Sequence, residues 1–300
     1  MKKSMKWILF GFALVGFLTL GVVPAWSAPG LLQLASRAGF WANDFPDTAM
    51  LIQHFYHYSS DEIWVGDGEK QESQDLTIEA SFTRLVRAWH FGEDKQYQYV
   101  LEGIVPLYNL SGEETSRDAG DNFSLSGLGH PLIYTSLGWN NPTKTTHIQS
   151  FLIWQVPVGD SDIMNAIGGN NHALMPGLGV QERFGNIWLD GSVGYLYNFE
   201  DLDSDAKARD VFEVNSSVSY RFSAPYPWWI YMQGDYTRYM EGDDENGNNL
   251  GNDGHNYAIA PGIGACIRPN MTLDVKYTMD VDGENTSKGN AINVRFFWAF

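Results

Sequence analysis

The sequence predicts an all-β fold: a transmembrane antiparallel β-barrel of about twelve strands, preceded by a cleaved signal peptide. Three observations predict it. Apolar and polar residues alternate with a period of two along most of the chain; the connections between alternating segments are long and short by turns; and a secretory leader stands at one end with an amphipathic aromatic strand at the other.

Composition agrees. In 300 residues there are 31 glycines, 14% aromatic residues and only 18% charged residues, which favours strands and a membrane interface. A formal net charge of −17 argues against nucleic acid as a partner, because phosphate binding needs a basic face. The lone Cys266 excludes an intrachain disulfide and a cysteine metal cluster.

Lys2, Lys3 and Lys6 precede an apolar run from Trp7 to Val23, followed by Pro24-Ala25-Trp26-Ser27-Ala28. A basic start, an apolar core and small residues before a cleavage point describe a signal peptide over residues 1–27. Its removal takes the mature charge from −17 to −20. After Ala28 no apolar run approaches the ~18 residues a spanning helix needs. Residues 28–48 carry Leu31, Leu32, Leu34, Phe40 and Trp41, and are expected to plug the barrel or lie at its periplasmic mouth, the alternative being a membrane-surface or disordered extension. The barrel itself is expected over 49–300.

Strands are expected near 50–58, 75–90, 96–108, 123–138, 146–158, 173–184, 186–198, 210–222, 228–239, 256–268, 270–281 and 290–300. Met271, Leu273, Val275, Tyr277, Met279 and Val281 form one face of their segment, against Thr272, Asp274, Lys276, Thr278 and Asp280. An eleven-residue strand tilted by ~45° spans ~26 Å, close to the ~25 Å apolar band of an outer-membrane barrel. Long connections are expected at 59–74, 109–122, 159–172, 199–209, 240–255 and 282–289, and short ones between them. Bacterial barrels alternate in this way, with the long loops outside the cell. Acidic residues gather in the long loops, Asp67 and Asp244 among them. The final segment sets Ile292, Val294, Phe296, Trp298 and Phe300 on one face, a pattern resembling the signal read by the outer-membrane assembly machinery.

Several motifs carry a family resemblance: Ser126-Gly127-Leu128-Gly129-His130-Pro131, Val156-Pro157-Val158-Gly159-Asp160, and the run from Gly168 to Val180 leading into Trp188-Leu189-Asp190 and Gly194-Tyr195. Over roughly 96–300 the chain resembles the meta-pathway phenol-degradation family of outer-membrane β-barrel proteins. His130 stands where that family usually has Asp. The resemblance implies transport or binding of a hydrophobic compound.

Strand parity places Glu79, Glu102, His147, Gln149, Asp190, Glu213, Asn215, Gln233, Asp235, Asp274, Lys276 and Arg295 on the lumen side, with Arg295 expected beside Asp274 or Glu79. They either line a solute path or brace the interior through ion pairs. Trp139, Tyr226, Trp228 and Trp229 read as the periplasmic aromatic girdle, and Cys266 as inward packing. Glu241 to Asn248 lacks the ligand series of an EF-hand and reads as a solvated acidic loop. His147 and Ser150 point to opposite faces of a strand, and no Gly-x-Ser-x-Gly elbow occurs, which argues against a hydrolase. The expectation is therefore a non-enzymatic bacterial outer-membrane barrel, without cofactor, metal or catalytic site, that passes a small aromatic or hydrophobic solute. Its expected partners are lipid, lipopolysaccharide and the assembly machinery. The alternative is a structural or adhesive barrel presenting acidic loops.

The terminal strand makes a direct prediction. Deleting Phe300 should abolish the gel shift between unboiled and boiled samples of cell-expressed protein while secretion continues. A normal folded yield would contradict the role assigned to Phe296, Trp298 and Phe300.

Overall fold

The computed structural model describes residues 45–65, 69–71, 75–113, 122–159, 170–203, 206–222, 227–243, 247–248 and 253–300. The expected signal peptide, residues 28–44, and Asp67, Glu72, Tyr226, Asp244 and Glu245 lie outside them. No helix among the described residues is long and apolar enough to cross a membrane.

Among the described residues, fourteen strands form one antiparallel sheet that closes on itself. They are β1 (Ala49–Val65), β2 (Glu69–Gln71), β3 (Leu76–Phe91), β4 (Tyr97–Glu113), β5 (Asn122–Leu128), β6 (Leu132–Asn140), β7 (Thr146–Gln155), β8 (Asn171–Phe184), β9 (Ile187–Asp201), β10 (Val211–Phe222), β11 (Trp228–Tyr239), β12 (Gly254–Arg268), β13 (Met271–Glu284) and β14 (Thr286–Ala299). β2 is a short return against the top of β1, while β5 and β6 pair with successive stretches of β4. The wall therefore has twelve staves.

Closure comes from β1, which pairs with β3 on one edge and β14 on the other. The β1–β14 register runs from Met50↔Ala299 to Trp64↔Thr286, with one irregularity between Ser60 and Glu62. Phe300 fastens the base of this seam: its N–H donates to the Ala49 carbonyl (3.1 Å), and its own carbonyl accepts from the Thr48 hydroxyl.

Alternation now has a physical meaning. Leu85, Leu101, Val105, Leu152, Leu178, Ile230, Met232, Ile263, Val275 and Ile292 are exposed on the outer wall, where lipid would cover them. Aromatic rings ring the short-turn end. Trp89 stacks on Tyr99 (5.6 Å between centroids), Phe91 on Tyr97 (5.5 Å), and Phe222 on Trp228 (3.8 Å). Polar groups on the outer face satisfy one another: Gln53 donates to Ser81 Oγ (2.8 Å) and accepts from Thr83 Oγ1 (2.8 Å).

Four expectations change. Residues 282–289 are not an open loop, because β13 and β14 continue through them and turn at Asn285, which adopts φ 45°. The 59–74 connection is likewise partly strand, so Glu62 sits in β1 and pairs with Lys288 (2.6 Å). The single strand expected over 123–138 is broken between Leu128 and Leu132. Glu79 points outward: it is largely exposed, 3.6 Å from His57 and hydrogen-bonded to Asn109 (3.1 Å). The apolar face of β3 was assigned to lipid, yet Ile78, Ala80, Phe82 and Val86 are buried inside together with Arg84.

With the native thiol removed (Cys266→Ser), a cysteine placed at Gly247 should react with an impermeant maleimide on whole cells. One at Thr143, in a short turn, should not. Labelling at Thr143 from outside would reverse the barrel's orientation.

Candidate functional site in the barrel lumen

The inward face divides into two levels. Nearer the short-turn end lies a layer of buried charged and hydrogen-bonding side chains. In β3 and β4, Arg84 grips Glu102 with two nitrogens: Nε meets Oε1, and Nη2 donates to Oε2 (2.9 Å). His54 Nε2 of β1 lies 3.3 Å from Arg84 Nη1. Two staves round the wall from β1, Asp274 of β13 accepts from the Tyr231 hydroxyl (2.7 Å) and the Trp229 indole (3.1 Å), with Arg295 Nη2 at 3.5 Å. Gln233 donates to both oxygens of Asp235 (2.8 and 3.0 Å), and Asn215 also donates to it. Asp190 accepts from Gln181 (2.6 Å) and Ser217 (3.1 Å).

Glycines make room for these reaches. Tyr231 and Trp229 belong to β11, while Asp274 belongs to β13, so both rings must pass over β12. They lie on Gly262 and Gly264, where an added Cβ would stand 2.1 and 2.3 Å from the rings. The His147 ring similarly occupies the space beside Gly138. From there a chain of contacts climbs the wall: Asn140 Oδ1 to His147 Nδ1 (2.9 Å), His147 Nε2 to Gln149 Oε1 (3.3 Å), and Gln149 Nε2 to the Tyr134 hydroxyl (3.1 Å).

Glu102, His147, Asp190, Glu213, Asp235, Asp274, Lys276 and Arg295 are all buried on the inner face. Lys276 lies close enough to Asp235 and Asp274 to feel both charges. Glu79 alone of the candidates is elsewhere, on the outer wall. The sequence reading missed Arg84 and His54, and took Trp229 for a girdle residue although it is buried inside. A signal for Arg84 existed: a guanidinium on the otherwise apolar face Ile78–Val86 would cost ~2–4 kcal/mol against lipid at the midplane, so that face had to turn inward.

Above this layer, toward the long loops, the interior gains a tyrosine-rich apolar level beside buried polar groups such as Asn171, Asn198, Asn256 and Glu284, and the apolar cluster continues down to Met50, Ile52, Val86, Ala88 and Val100 near the short turns. Tyr56, Tyr58, Phe82, Ile104, Leu132, Ile153, Met175, Leu196 and Tyr239 are buried in one cluster, with Tyr108 packed against it. Phe151 fits over Gly177, where a Cβ would stand 2.1 Å from its ring. At the opposite end Phe45, just before β1, is also buried in the interior, and its carbonyl accepts from the inward Gln98 (2.9 Å).

A closed twelve-stave antiparallel wall with an apolar exterior, aromatic girdle and polar inner layer defines an outer-membrane β-barrel. Residues 60–296 match the family model described as "Putative MetA-pathway of phenol degradation", and the chain belongs to that family. No curated protein matches the chain. Among solved structures, an outer-membrane channel from Pseudomonas putida F1 aligns with a TM-score of 0.76 at 14% identity, covering 88% of this chain and 100% of the other. The β domain of the Bordetella autotransporter BrkA gives 0.57 at 11% identity over 85% and 100%. The transport unit of the Escherichia coli autotransporter AIDA-I gives 0.52 at 10% over 86% and 92%. At these identities the likeness is one of fold.

Breaking one partner of a buried pair leaves an uncompensated charge, which costs roughly 3–5 kcal/mol, whereas replacing both with apolar residues is often neutral. Arg84→Ala should therefore sharply lower the urea midpoint of refolded protein, while Arg84→Met with Glu102→Leu should remain close to wild type. Equal losses in both variants would show that the pair braces the wall in some other way.

Proposed function

We propose that the barrel passes a small, apolar, often aromatic solute down its concentration gradient through the lumen. The observation that carries this reading is the apolar, tyrosine-rich inner level stacked on the charged layer. A barrel that needed only bracing has no use for so much inward apolar surface on the side facing its long loops. Water-filled pores have polar interiors, whereas an apolar lining removes less hydration from water and attracts apolar solute. The family's link to phenol degradation, and the channel named among the structural relatives, support the same direction.

In this reading the charged layer is the selective constriction. Its charged and polar groups engage one another across the strands, so passage requires those contacts to part briefly, and a neutral solute disturbs them least. The barrel acts without covalent chemistry on its solute. Lipid and lipopolysaccharide surround it, and the assembly machinery inserts it through the β14 signal. A second reading, a structural barrel, draws support from how completely the charged layer is buried.

Two measurements separate these readings. Cells carrying the protein should take up a small apolar aromatic faster than cells lacking it. Tyr56→Asp with Phe82→Asp should remove that gain while leaving heat-modifiable migration intact. An uptake rate equal to that of cells without the barrel would favour the structural reading.

A further inference from the structure

Two stretches that carry the family resemblance, 171–180 and 188–195, lie side by side in the β8–β9 ladder. Along β9, Asp190, Ser192, Gly194 and Leu196 succeed one another on the inner face. Ser192 pairs with Gly179 of β8 on one side and with Asn215 of β10 on the other. Gly194 stands next above it. Two of its neighbours on that face therefore have no side chain, and Ser192 lies on the floor of a recess.

The lower edge of the recess is polar and the upper edge apolar. Below, Asp190 is held by Gln181 (2.6 Å) and Ser217 (3.1 Å), and beside Ser192 the Asn215 amide donates to Asp235. Above, Met175 covers Gly194, where an added Cβ would stand 3.2 Å from its side chain. Phe151 covers Gly177, the β8 partner of Gly194. Ser192 itself is only 8% exposed, yet its Oγ meets no hydrogen-bond partner among the described residues. A buried hydroxyl left in that state is destabilising and calls for an explanation.

The recess also selects by charge. Among the described residues the buried cations are Arg84, Lys276 and Arg295, which belong to β3, β13 and β14. The inner faces of β8, β9 and β10 bury none, and they bury the carboxylates of Asp190 and Glu213. Ionised carboxylates only accept hydrogen bonds, whereas a serine hydroxyl donates or accepts. An anionic head is repelled here, and a head without a donor gains nothing from Asp190.

We propose that Asp190 and Ser192 form a subsite for the head of a neutral aromatic solute bearing a hydrogen-bond donor, a ring hydroxyl or amine, whose ring lies against Met175 and Phe151. The proposal rests on the transport reading and names the head group of its solute. Same-face neighbours on a strand stand ~7 Å apart, too far to bond each other but spaced for one oxygen or nitrogen to bridge them. The head donates to the Asp190 carboxylate and accepts from the Ser192 hydroxyl.

The test measures binding of 1-naphthol and 1-methoxynaphthalene to the refolded barrel in detergent by equilibrium dialysis, corrected for partition into empty micelles, and the uptake of both by cells. The two probes share a ring system, and methylation removes the donor. Wild type is expected to bind the naphthol about tenfold more tightly than the ether. Ser192→Ala should lower naphthol affinity about fivefold and leave the ether's unchanged, with a urea midpoint at or above wild type because the unpartnered hydroxyl is gone. Asp190→Asn, which removes the charge from the acceptor, should also narrow the preference. Equal affinities in the wild type, a preference untouched by both substitutions, or a Ser192→Ala barrel that loses stability without losing affinity would overturn the subsite, while barrel-dependent uptake would keep the transport reading standing. Donor-dependent binding without barrel-dependent uptake of either probe would overturn the transport reading and leave the binding site.

Discussion

Every other feature of this protein depends on one constraint: within an apolar membrane each backbone N–H and C=O must find a partner inside the chain. A sheet meets it only by closing, so β1 must serve two neighbours at once. That requirement gives the seam its importance. The β14 strand supplies the second edge, and the carbonyl and N–H of Phe300, just after it, tie its end to Thr48 and Ala49. Closure also fixes which side of each strand faces lipid, because the wall has only an inside and an outside.

Once the wall closes, the inward side chains have nowhere to go but against each other. Charges there are stable only as sets. Arg84 with Glu102, and Asp274 with Tyr231, Trp229 and Arg295, are such sets, and glycines on the intervening strand let the rings reach their carboxylate. The aromatic level above them obeys a different rule, shape and apolarity.

Much of this was legible in the sequence. Twelve staves follow from period-two alternation, and most strand boundaries fall within two or three residues of the expected ones. The failures have physical causes. β3 misled because inside and outside are both partly apolar in a narrow barrel, so "apolar means lipid" assigned Glu79 to the lumen and hid Arg84. Residues 282–289 looked like a loop because their Gly, Asn and Glu residues suit a turn. Strands that rise beyond the membrane no longer need an apolar face, so their pattern fades. Trp229 and Tyr231 were hard to place because their reach depends on glycines in a different strand.

The central claim is that apolar solute resides on the inner face of the long-loop half of the barrel. Photolabelling of native outer membranes with a small aryl azide, followed by peptide mapping, tests it most directly. The account predicts adducts at Tyr56, Phe82, Tyr108, Met175 and Tyr239, suppressed by excess unlabelled aromatic. Adducts confined to outward residues such as Leu85, Leu101 and Val275, unaffected by competitor, would contradict it.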